Sequence, residues 1–373
     1  MECCLLKKFK KFILVIFILI LFSFLLGFTK PKTSAESAVL IDSKTGRILY
    51  SYNHDLKRPM ASTTKIMTAL LAIEYGDLDS IVKIKESAVG VEGSSIYLRK
   101  DEEISLRDLI YGLMLRSGND AAVAIAEHIS GSVDKFVELM NKRAKEIGAV
   151  NTNFVNPHGL HDPNHYSTAY DMALITREAM KNDFFKEVSK TKTWIANREI
   201  NQYFTNKNDV LRKYKGGDGV KTGYTKVAGR CLVASATRDE VQLIAVVIND
   251  GNWFNDCYSL LDYGFENYRP TLLLSKSQFL KKIRILEGTS EYLNVLCNED
   301  LIIPLSEEER EKVKIVLNIP DTLNSPISKG QKLGNIQVFL EGKLLYTLDA
   351  NSSFEIKKLK PKTNFIKFLK NIF

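Results

Sequence analysis

Three short motifs supply residue types that could together perform acyl transfer. In chain order they are STTK at Ser62–Lys65, SGN at Ser117–Asn119 and KTG at Lys221–Gly223. The first supplies a hydroxyl with a lysine three residues later, the second a further hydroxyl and an amide, and the third a cation. Because serine is a poor nucleophile until a neighbouring base takes its proton, this combination is typical of catalysis through a covalent serine ester.

Each motif is weakly informative by itself, because short patterns recur by chance in a Lys-rich chain. The Ser-x-x-Lys pattern begins at Ser62, Ser80, Ser132 and Ser189, and KTG also occurs at Lys44–Gly46. The earlier KTG copy lies between two short apolar runs, where a hairpin turn explains its glycine. The inference therefore depends on the order of the three motifs and on the local structure predicted for each.

The first motif places a nucleophile beside a base. Ser62 and Lys65 would share one helix face, since positions i and i+3 are neighbours there. A helix start at Ser62 would also bring backbone N–H groups near developing negative charge. Lys65 must be neutral part of the time to act as a base, and burial or the charge of Lys221 would lower its pKa. The alternative for Ser62 alone is an N-cap.

The other two motifs are candidates for proton transfer and substrate binding. Ser117 could pass a proton to a leaving amine, and Asn119 could hold a lysine and a substrate amide; the alternative is helix capping. Lys221 could pair with a substrate carboxylate and Thr222 could donate to it. Gly223 would leave room for a substrate along the strand, although a lysine is also common on an ordinary edge strand.

The elements around the motifs predict an α/β region followed by a β region. Helical patterns precede β-rich runs, and a further helix could pack on the resulting antiparallel strands. The helical patterns cover 62–72, 120–129, 134–147, 168–181 and 253–268, and the β-rich runs cover 219–224, 230–237 and 241–248. Arg269-Pro270 marks a boundary, after which short alternating runs predict a small all-β domain.

The two ends of the chain have their own patterns. Four lysines precede the apolar run Phe12–Leu26, which predicts an export signal cleaved after Ala35, with an uncleaved anchor as the alternative. The last residues are rich in lysine, and their apolar side chains fall mostly on one helical face. This pattern favours a helix on an anionic membrane surface, and the alternative is a helix docked on the protein itself.

The composition limits the classes of function. The chain of 373 residues is 45% hydrophobic and 26% charged, which is typical of a folded globular protein. Its formal net charge of +8 reflects Lys-rich ends, and no basic-aromatic surface typical of nucleic-acid binding is apparent. Three cysteines after the leader, Cys231, Cys257 and Cys297, are too few and too dispersed for a disulfide framework, and we expect them to be buried.

The three motifs resemble the active site of penicillin-binding proteins and serine β-lactamases, and in particular of the low-molecular-mass D-alanyl-D-alanine carboxypeptidases. Further similar segments are Pro59–Thr68, Asn156–Leu160, His165–Asp171 and Asp218–Thr225, and the resemblance covers Ala38–Tyr268. It implies an α/β catalytic domain with the β-lactamase/transpeptidase fold, in which helices and a helical subdomain flank an antiparallel sheet. A small all-β domain and a C-terminal amphipathic helix would follow.

The resemblance also implies roles for individual residues. Ser62 would attack the carbonyl between the two terminal D-alanines of a peptidoglycan stem peptide, Lys65 would take its proton, and Ser117 would pass one to the departing D-alanine. The N–H groups of Ser62 and Tyr224 would form the oxyanion hole. The implied substrate-binding residues are Asn119, Lys221, Thr222, Gly223, Tyr224 and Lys207. β-Lactam antibiotics would acylate the same serine, and neither a cofactor nor a metal is required.

Four segments are therefore expected. They are a signal peptide or anchor at 1–35, a penicillin-binding catalytic domain at 36–270, a small all-β domain at 271–350 and a membrane-associating tail at 351–373. The protein would act in cell-wall biogenesis at the outer face of the bacterial cytoplasmic membrane, held peripherally by its tail. No nucleic-acid partner is expected.

The chain departs from the family in one respect. The family often carries an arginine ahead of its last catalytic-domain helix, near the substrate carboxylate, whereas no Lys or Arg occurs between Arg238 and Arg269. Recognition of the carboxylate could instead depend on Lys221 and Lys207. Because D,D-transpeptidases and endopeptidases use the same residues, the acceptor of the acyl group stays open.

Three further readings compete with a D,D-carboxypeptidase. A serine β-lactamase that uses a glutamate and a water would need that glutamate near the site, and no Glu lies between Glu146 and Glu178. A zinc peptidase could use His158, His161 and His165, although the prolines and glycine around them predict a loop. A non-catalytic wall-binding relative would keep the fold without the chemistry.

Overall fold

A computed structural model describes residues 30–360 of the chain. The strands before residue 250 are β1 (Ser37–Asp42), β2 (Ile48–Tyr52), β3 (Ile81–Lys83), β4 (Glu103–Ser105), β5 (Thr193–Ile195), β6 (Tyr203–Thr205), β7 (Gly217–Thr225), β8 (Gly229–Arg238) and β9 (Val241–Ile248). The largest sheet has the order β2-β1-β9-β8-β7, and β3-β4 and β5-β6 form separate antiparallel pairs. Strand β7, which carries the KTG motif, is therefore an edge strand of the five-stranded sheet.

The long strands of this sheet follow one another through short turns. Between β8 and β9, Asp239 and Glu240 have φ angles of 46° and 65°, as a two-residue hairpin turn requires. Neighbouring strands joined so tightly run antiparallel. Residues 231–236 of β8 and 243–248 of β9 are buried without alternation, which indicates that other elements cover both faces of the sheet.

The helices of this region come between β2 and β7 in the chain and after β9. They are α1 (Lys65–Tyr75), α2 (Leu106–Tyr111), α3 (Asn119–Ser130), α4 (Val133–Ile147), α5 (Ala169–Ala179), α6 (Asp183–Lys190), α7 (Val210–Lys213) and α8 (Trp253–Asn267). A 3-10 turn (Ala61–Thr64) leads into α1, and a π-helical turn (Gly112–Arg116) continues α2.

Helix α1 lies at the centre of the helical layer. Its residues from Lys65 to Ala72 are all buried, and it contacts both α3 and α5. The small side chains of α3, which include Ala121, Ala122 and Ala124, allow two helices to pack closely. This packing fixes the start of α1, and hence the STTK motif, relative to the start of α3, where the SGN motif lies.

The second part of the described chain is rich in β-strands. Its elements are β10 (Arg269–Leu274), β11 (Phe279–Leu286), β12 (Tyr292–Leu296), β13 (Leu301–Leu305), α9 (Glu307–Arg310), β14 (Val313–Asn318), β15 (Thr322–Asn324), β16 (Lys332–Leu340) and β17 (Lys343–Asn351). They form the sheets β10-β13, β12-β11-β15 and β14-β16-β17. Alternating residues such as Ile283, Ile285, Leu293 and Val295 point into one apolar core, as the period of two in their sequence requires.

The chain folds into two compact units. Among the described residues, the first contains 30–40 together with Leu49–Ser235 and Ile244–Asn267. The second contains Ile41–Ile48, Ala236–Leu243 and residues 268–360. Every residue proposed for the candidate site lies in the first unit.

The main sequence predictions of secondary structure are confirmed. The five helical patterns correspond to α1, α3, α4, α5 and α8, and the three β-rich runs to β7, β8 and β9. The short β5-β6 pair and helix α6 were not predicted. The three cysteines are buried and unpaired, as expected. The apolar leader segment 12–26 and the apolar tail residues lie outside the described residues, and no helix within 30–360 is long and apolar enough to cross a membrane.

Candidate active site

Ser62 and Ser117 both lie next to helix starts without capping them. Ser62 is in the 3-10 turn, and α1 has Thr64 at its N-cap with no side-chain cap bond. Ser117 has a left-handed backbone, with φ of 63°, and the N-cap of α3 is Gly118. The capping alternatives for both serines are therefore wrong, and both hydroxyls are available for other contacts.

The side chain of Lys65 connects the first two motifs. Its Nζ donates to Ser62 Oγ at 2.9 Å, to Asn119 Oδ1 at 2.7 Å and to the carbonyl oxygen of His158 at 2.6 Å. The side chain is completely buried. Burial, and secondly the charge of Lys221, hold the pKa of Lys65 well below its usual range. A neutral amine at this position can accept the proton of Ser62.

A second buried lysine pairs with the second serine. Lys221 Nζ donates to Ser117 Oγ at 3.0 Å and to the carbonyl oxygen of Thr222 at 3.0 Å. Burial, and secondly the nearby charge of Lys207, lower the pKa of Lys221 to about 7. Near neutral pH this group can therefore both carry charge for an anionic substrate and exchange a proton with Ser117.

Strand β7 passes directly against the turn that holds Ser62. A Cβ atom added at Gly223 would lie 2.9 Å from the backbone nitrogen of Ser62 and 3.1 Å from that of Thr63. Only glycine permits so close an approach. Tyr224 follows and is 64% exposed. The KTG glycine thus brings the strand edge beside the candidate nucleophile.

The Asn156–Leu160 loop closes the base of the site. Thr68 Oγ1 donates to the carbonyl oxygen of Pro157 at 2.6 Å, and the next carbonyl, that of His158, accepts from Lys65. Gly159 has a φ of +90°, and a Cβ atom there would collide with the Ala61 carbonyl. This loop lies about ninety residues after Lys65 in the sequence, and it supplies one of the three acceptors around the Lys65 amine.

The histidine cluster has structural contacts. His165 Nδ1 accepts from the Val155 N–H at 2.9 Å, and its Nε2 lies 2.8 Å from Thr64 Oγ1. Burial lowers the pKa of His165 to about 4 and that of His158 to about 3. His161 is exposed. Within residues 30–360, no group of three His, Cys, Asp or Glu side chains is placed to hold a metal ion.

Asp120 is a site residue that the sequence reasoning missed. Its buried carboxylate accepts from the backbone N–H groups of Ile96 and Leu98, both at about 3 Å, and from Ser95 Oγ at 2.6 Å. These bonds hold the 95–98 loop beside the SGN motif. An Asp at a helix start is usually explained by capping, so its partners more than twenty residues upstream left no local signal.

Lys207 lies beside the Lys221 end of the site. It is exposed, while its neighbours Asn206 and Asn208 are buried, and Asn206 Nδ2 donates to the carbonyl oxygen of Thr191 at 3.0 Å. The 206–208 segment is therefore anchored while the lysine side chain faces solvent. The structure brings together Ser62, Lys65, Ser117, Asn119, Lys221 and Gly223, with Lys207 at their edge.

Comparison with known proteins gives two family matches. Residues 27–252 match peptidase family S11, described as D-alanyl-D-alanine carboxypeptidase. Residues 268–358 match the family described as penicillin-binding protein 5, C-terminal domain. The two matches cover both the α/β region that carries the site and the β-rich region that follows it.

Individual relatives agree with these matches. The D-alanyl-D-alanine carboxypeptidase DacF of Bacillus subtilis is 36% identical over 90% of this chain and 88% of its own. The crystal structure of penicillin-binding protein 5 from Haemophilus influenzae is 33% identical, covering 89% of this chain and all of that one with a TM-score of 0.70. A Streptomyces K15 DD-transpeptidase structure is 33% identical over 64% of this chain and all of that one, with a TM-score of 0.60. The chain belongs to the D-alanyl-D-alanine carboxypeptidase family of serine peptidases.

Proposed function

We propose that this protein is a serine D,D-carboxypeptidase that removes the terminal D-alanine from peptidoglycan stem pentapeptides through an acyl-enzyme on Ser62. The observation that supports this proposal most directly is the environment of Lys65. The lysine is completely buried and its Nζ lies 2.9 Å from the serine hydroxyl, so it is positioned to accept the proton of that hydroxyl. The family to which the chain belongs supplies the substrate class.

Acylation uses both lysine–serine pairs. Ser62 Oγ attacks the carbonyl carbon of the penultimate D-alanine as its proton passes to Lys65 Nζ. The C–N bond then breaks while Ser117 delivers its proton to the departing amine, and Ser117 is reprotonated from Lys221 or Lys65. The 3.0 Å contact between Lys221 Nζ and Ser117 Oγ supports this route.

Charge on the substrate oxygen is stabilised by backbone donors. The N–H groups of Ser62 and Tyr224 form the oxyanion hole, and the close approach at Gly223 supports this arrangement. One such donor contributes about 3–4 kcal/mol to transition-state stabilisation in comparable sites. Lys221 and Thr222 bind the terminal carboxylate, with Lys207 at the edge, and Asn119 orients both Lys65 and a substrate amide.

Water then releases the shortened peptide from Ser62, with Lys65 again accepting a proton. The same acyl-enzyme could pass to an amine, and the similarity to a DD-transpeptidase favours transpeptidation as the second candidate activity. The products separate the two activities: hydrolysis yields a tetrapeptide, whereas transfer yields an adduct with the added amine. β-Lactams would acylate Ser62 and remain attached.

The test is release of free D-alanine from a stem pentapeptide by protein that begins at Glu36, beside a Ser62→Ala variant. We expect release by the wild type alone, no effect of a metal chelator, and a penicilloyl adduct on the Ser62 peptide by mass spectrometry. Equal release by both proteins would overturn Ser62 as the nucleophile. Chelator-sensitive release would instead favour the zinc alternative.

The location and domain layout are also proposals. We infer an exported protein with a catalytic domain at 36–270, an all-β domain at 271–350 and a basic tail at 351–373 that attaches it to the outer face of the cytoplasmic membrane. The Lys-rich, amphipathic pattern of the tail supports attachment. Fractionation of a chain that ends before Lys357 tests this proposal, because a membrane-bound product after signal cleavage would contradict it.

A further inference from the structure

A cleft that none of Ser62, Lys65, Ser117 or Lys221 lines has Arg116, the residue before the SGN motif, in its wall. It has a volume of about 400 Å³, within the range of small-ligand sites. Its walls come from the 95–97 loop, from the end of the π-helical turn and from residues 199–204, the last two of which begin β6. The lining side chains include Tyr97, Arg116, Asn201 and Tyr203, which offer a cation, an amide and two phenols.

Arg116 supplies positive charge to this cleft without a protein partner. Across residues 30–360 its guanidinium makes neither an ion pair nor a side-chain hydrogen bond, although the residue is half-buried. The acid among the lining residues, Glu199, pairs with Arg99 at 2.8 Å. An arginine left unpaired in a cleft is suited to bind a carboxylate through two parallel hydrogen bonds.

The 95–97 wall of the cleft is held rigidly. Asp120 accepts from the Ile96 N–H on one side. On the other side Arg198, which forms a buried ion pair with Glu102 at 2.8 Å, donates to the carbonyl oxygens of Ile96 at 2.7 Å and Tyr97 at 3.1 Å. Tyr97 has a left-handed backbone, with φ of 61°, yet its side chain is 64% exposed. A wall so fixed offers a preformed site and reduces the entropic cost of binding.

Residues on two walls of the cleft are close in sequence to Ser117 or to Lys207. Arg116 immediately precedes Ser117, so their Cα atoms are about 3.8 Å apart. On the opposite wall, β6 ends at Thr205 and the chain reaches Lys207 two residues later, where its charge lowers the pKa of Lys221. Strand β6 also packs on the π-helical turn. Residues that line the cleft are therefore close along the chain to Ser117 and to Lys207, which acts on Lys221.

We propose that this cleft is a subsite in which Arg116 binds a carboxylate on the departing half of the substrate. The proposal rests on the proposed function, since it extends the same site. The carboxylate has two sources: the α-carboxylate of the terminal D-alanine, or a carboxylate on a second stem peptide when the scissile amide is a cross-link. If the carboxylate is that of the terminal D-alanine, Arg116 would add a second cation to the contact proposed above for Lys221 and Thr222.

The test measures binding to the full chain with Ser62→Ala, so that catalysis does not interfere. Calorimetry compares a stem pentapeptide with its C-terminal amide, and a cross-linked dimer with the same dimer amidated on its departing strand. We expect Arg116→Gln to reduce the acid-to-amide affinity ratio about tenfold for at least one pair. A reduction with the pentapeptide identifies the terminal D-alanine as the source, and a reduction with the dimer alone identifies the second stem.

Lys142→Gln is the control, because it removes an equal charge from an exposed lysine on α4 that does not line the cleft. This variant should keep both ratios. Ratios that stay unchanged in Arg116→Gln for both pairs would overturn the subsite. Failure of the proposed function is distinguishable, since it would appear as no D-alanine release by the wild-type enzyme whatever the binding ratios.

Discussion

Lys65 Nζ lies 2.9 Å from Ser62 Oγ at the end of a side chain that no solvent reaches. An ammonium in that position has lost its hydration and has the charge of Lys221 nearby, and both effects favour the neutral amine. The acceptors Asn119 Oδ1 and the His158 carbonyl fix the direction of the amine. Burial therefore provides both the basicity and the orientation that Ser62 requires.

Replacement of Lys65 by arginine tests this account of the base. Arginine keeps the positive charge but does not lose its proton in proteins. We expect the second-order rate constant for acylation by a labelled penicillin to fall by about 10²–10⁴, the usual contribution of a general base. The control is Lys83→Arg at an exposed lysine, which should acylate at the wild-type rate. A Lys65→Arg rate within a few-fold of wild type would show that another group takes the proton.

The pH dependence of D-alanine release should reflect both lysines. Activity should rise with pH as Lys65 becomes neutral, and should fall as Lys221, with a pKa of about 7, loses the charge that binds the carboxylate. Removal of the Lys207 charge favours protonated Lys221, so Lys207→Gln should move the falling limb of kcat/KM to higher pH. Added salt should shrink the shift, because Lys207 is exposed.

Lys83→Gln provides the comparison for that experiment, since it removes an exposed lysine whose charge is paired with Asp101. Its profile should coincide with that of the wild type. If the falling limb of kcat/KM for Lys207→Gln instead lies at the same pH as that of the wild type, then the charge of Lys207 does not affect the pKa of Lys221.

Contacts between residues that are close in sequence were predictable. Ser62 lies in the 3-10 turn that leads into α1 and Lys65 follows three residues later, so their meeting depends on local geometry alone. The order of β7, β8 and β9 followed from β-rich runs with turn residues between them. The apolar alternation after Tyr268 likewise sufficed to predict an all-β region, because a period of two reports directly on burial.

Contacts between distant segments were not predictable in the same way. The His158 carbonyl reaches Lys65 across ninety-three residues, and Asp120 reaches Ile96 across twenty-four. Such contacts depend on how packed helices place backbone groups, and a backbone carbonyl leaves no signature in residue type. Ser117 illustrates the opposite case, since its residue type suggested a cap while its left-handed backbone turns it toward Lys221.

Gly223 should be indispensable because of its distance from the Ser62 turn. Alanine there would place a Cβ atom 2.9 Å from the Ser62 nitrogen, which would force β7 away from the proposed oxyanion hole. We expect Gly223→Ala to slow penicillin acylation by about 10²–10³, the effect of losing one oxyanion donor. Gly251→Ala is the matched control, since an added Cβ there meets no atom within 4 Å. Acylation by Gly223→Ala as fast as by Gly251→Ala would contradict the placement of the oxyanion hole.

His165 should make stability depend on pH without taking part in catalysis. Its folded pKa of about 4 lies below the unfolded value of 6.5, so the unfolded chain binds more protons between these values. The contribution of His165 to the free energy of unfolding is therefore fully present above pH 6.5. It is lost as the pH falls toward 4, and the loss is up to about 3 kcal/mol. Urea unfolding across this range should show a smaller loss in His165→Gln than in the wild type.

The control for that series is His128→Gln, at an exposed histidine on α3. Glutamine at 165 can still accept from the Val155 N–H and donate to Thr64 Oγ1, so the variant should keep its penicillin acylation at neutral pH. An equal loss of stability in all three proteins would mean that the pKa of His165 is the same in the folded and the unfolded state. Loss of acylation in His165→Gln with unchanged stability would instead give this residue a direct part in the reaction, because neutral contacts alone would then not explain its effect.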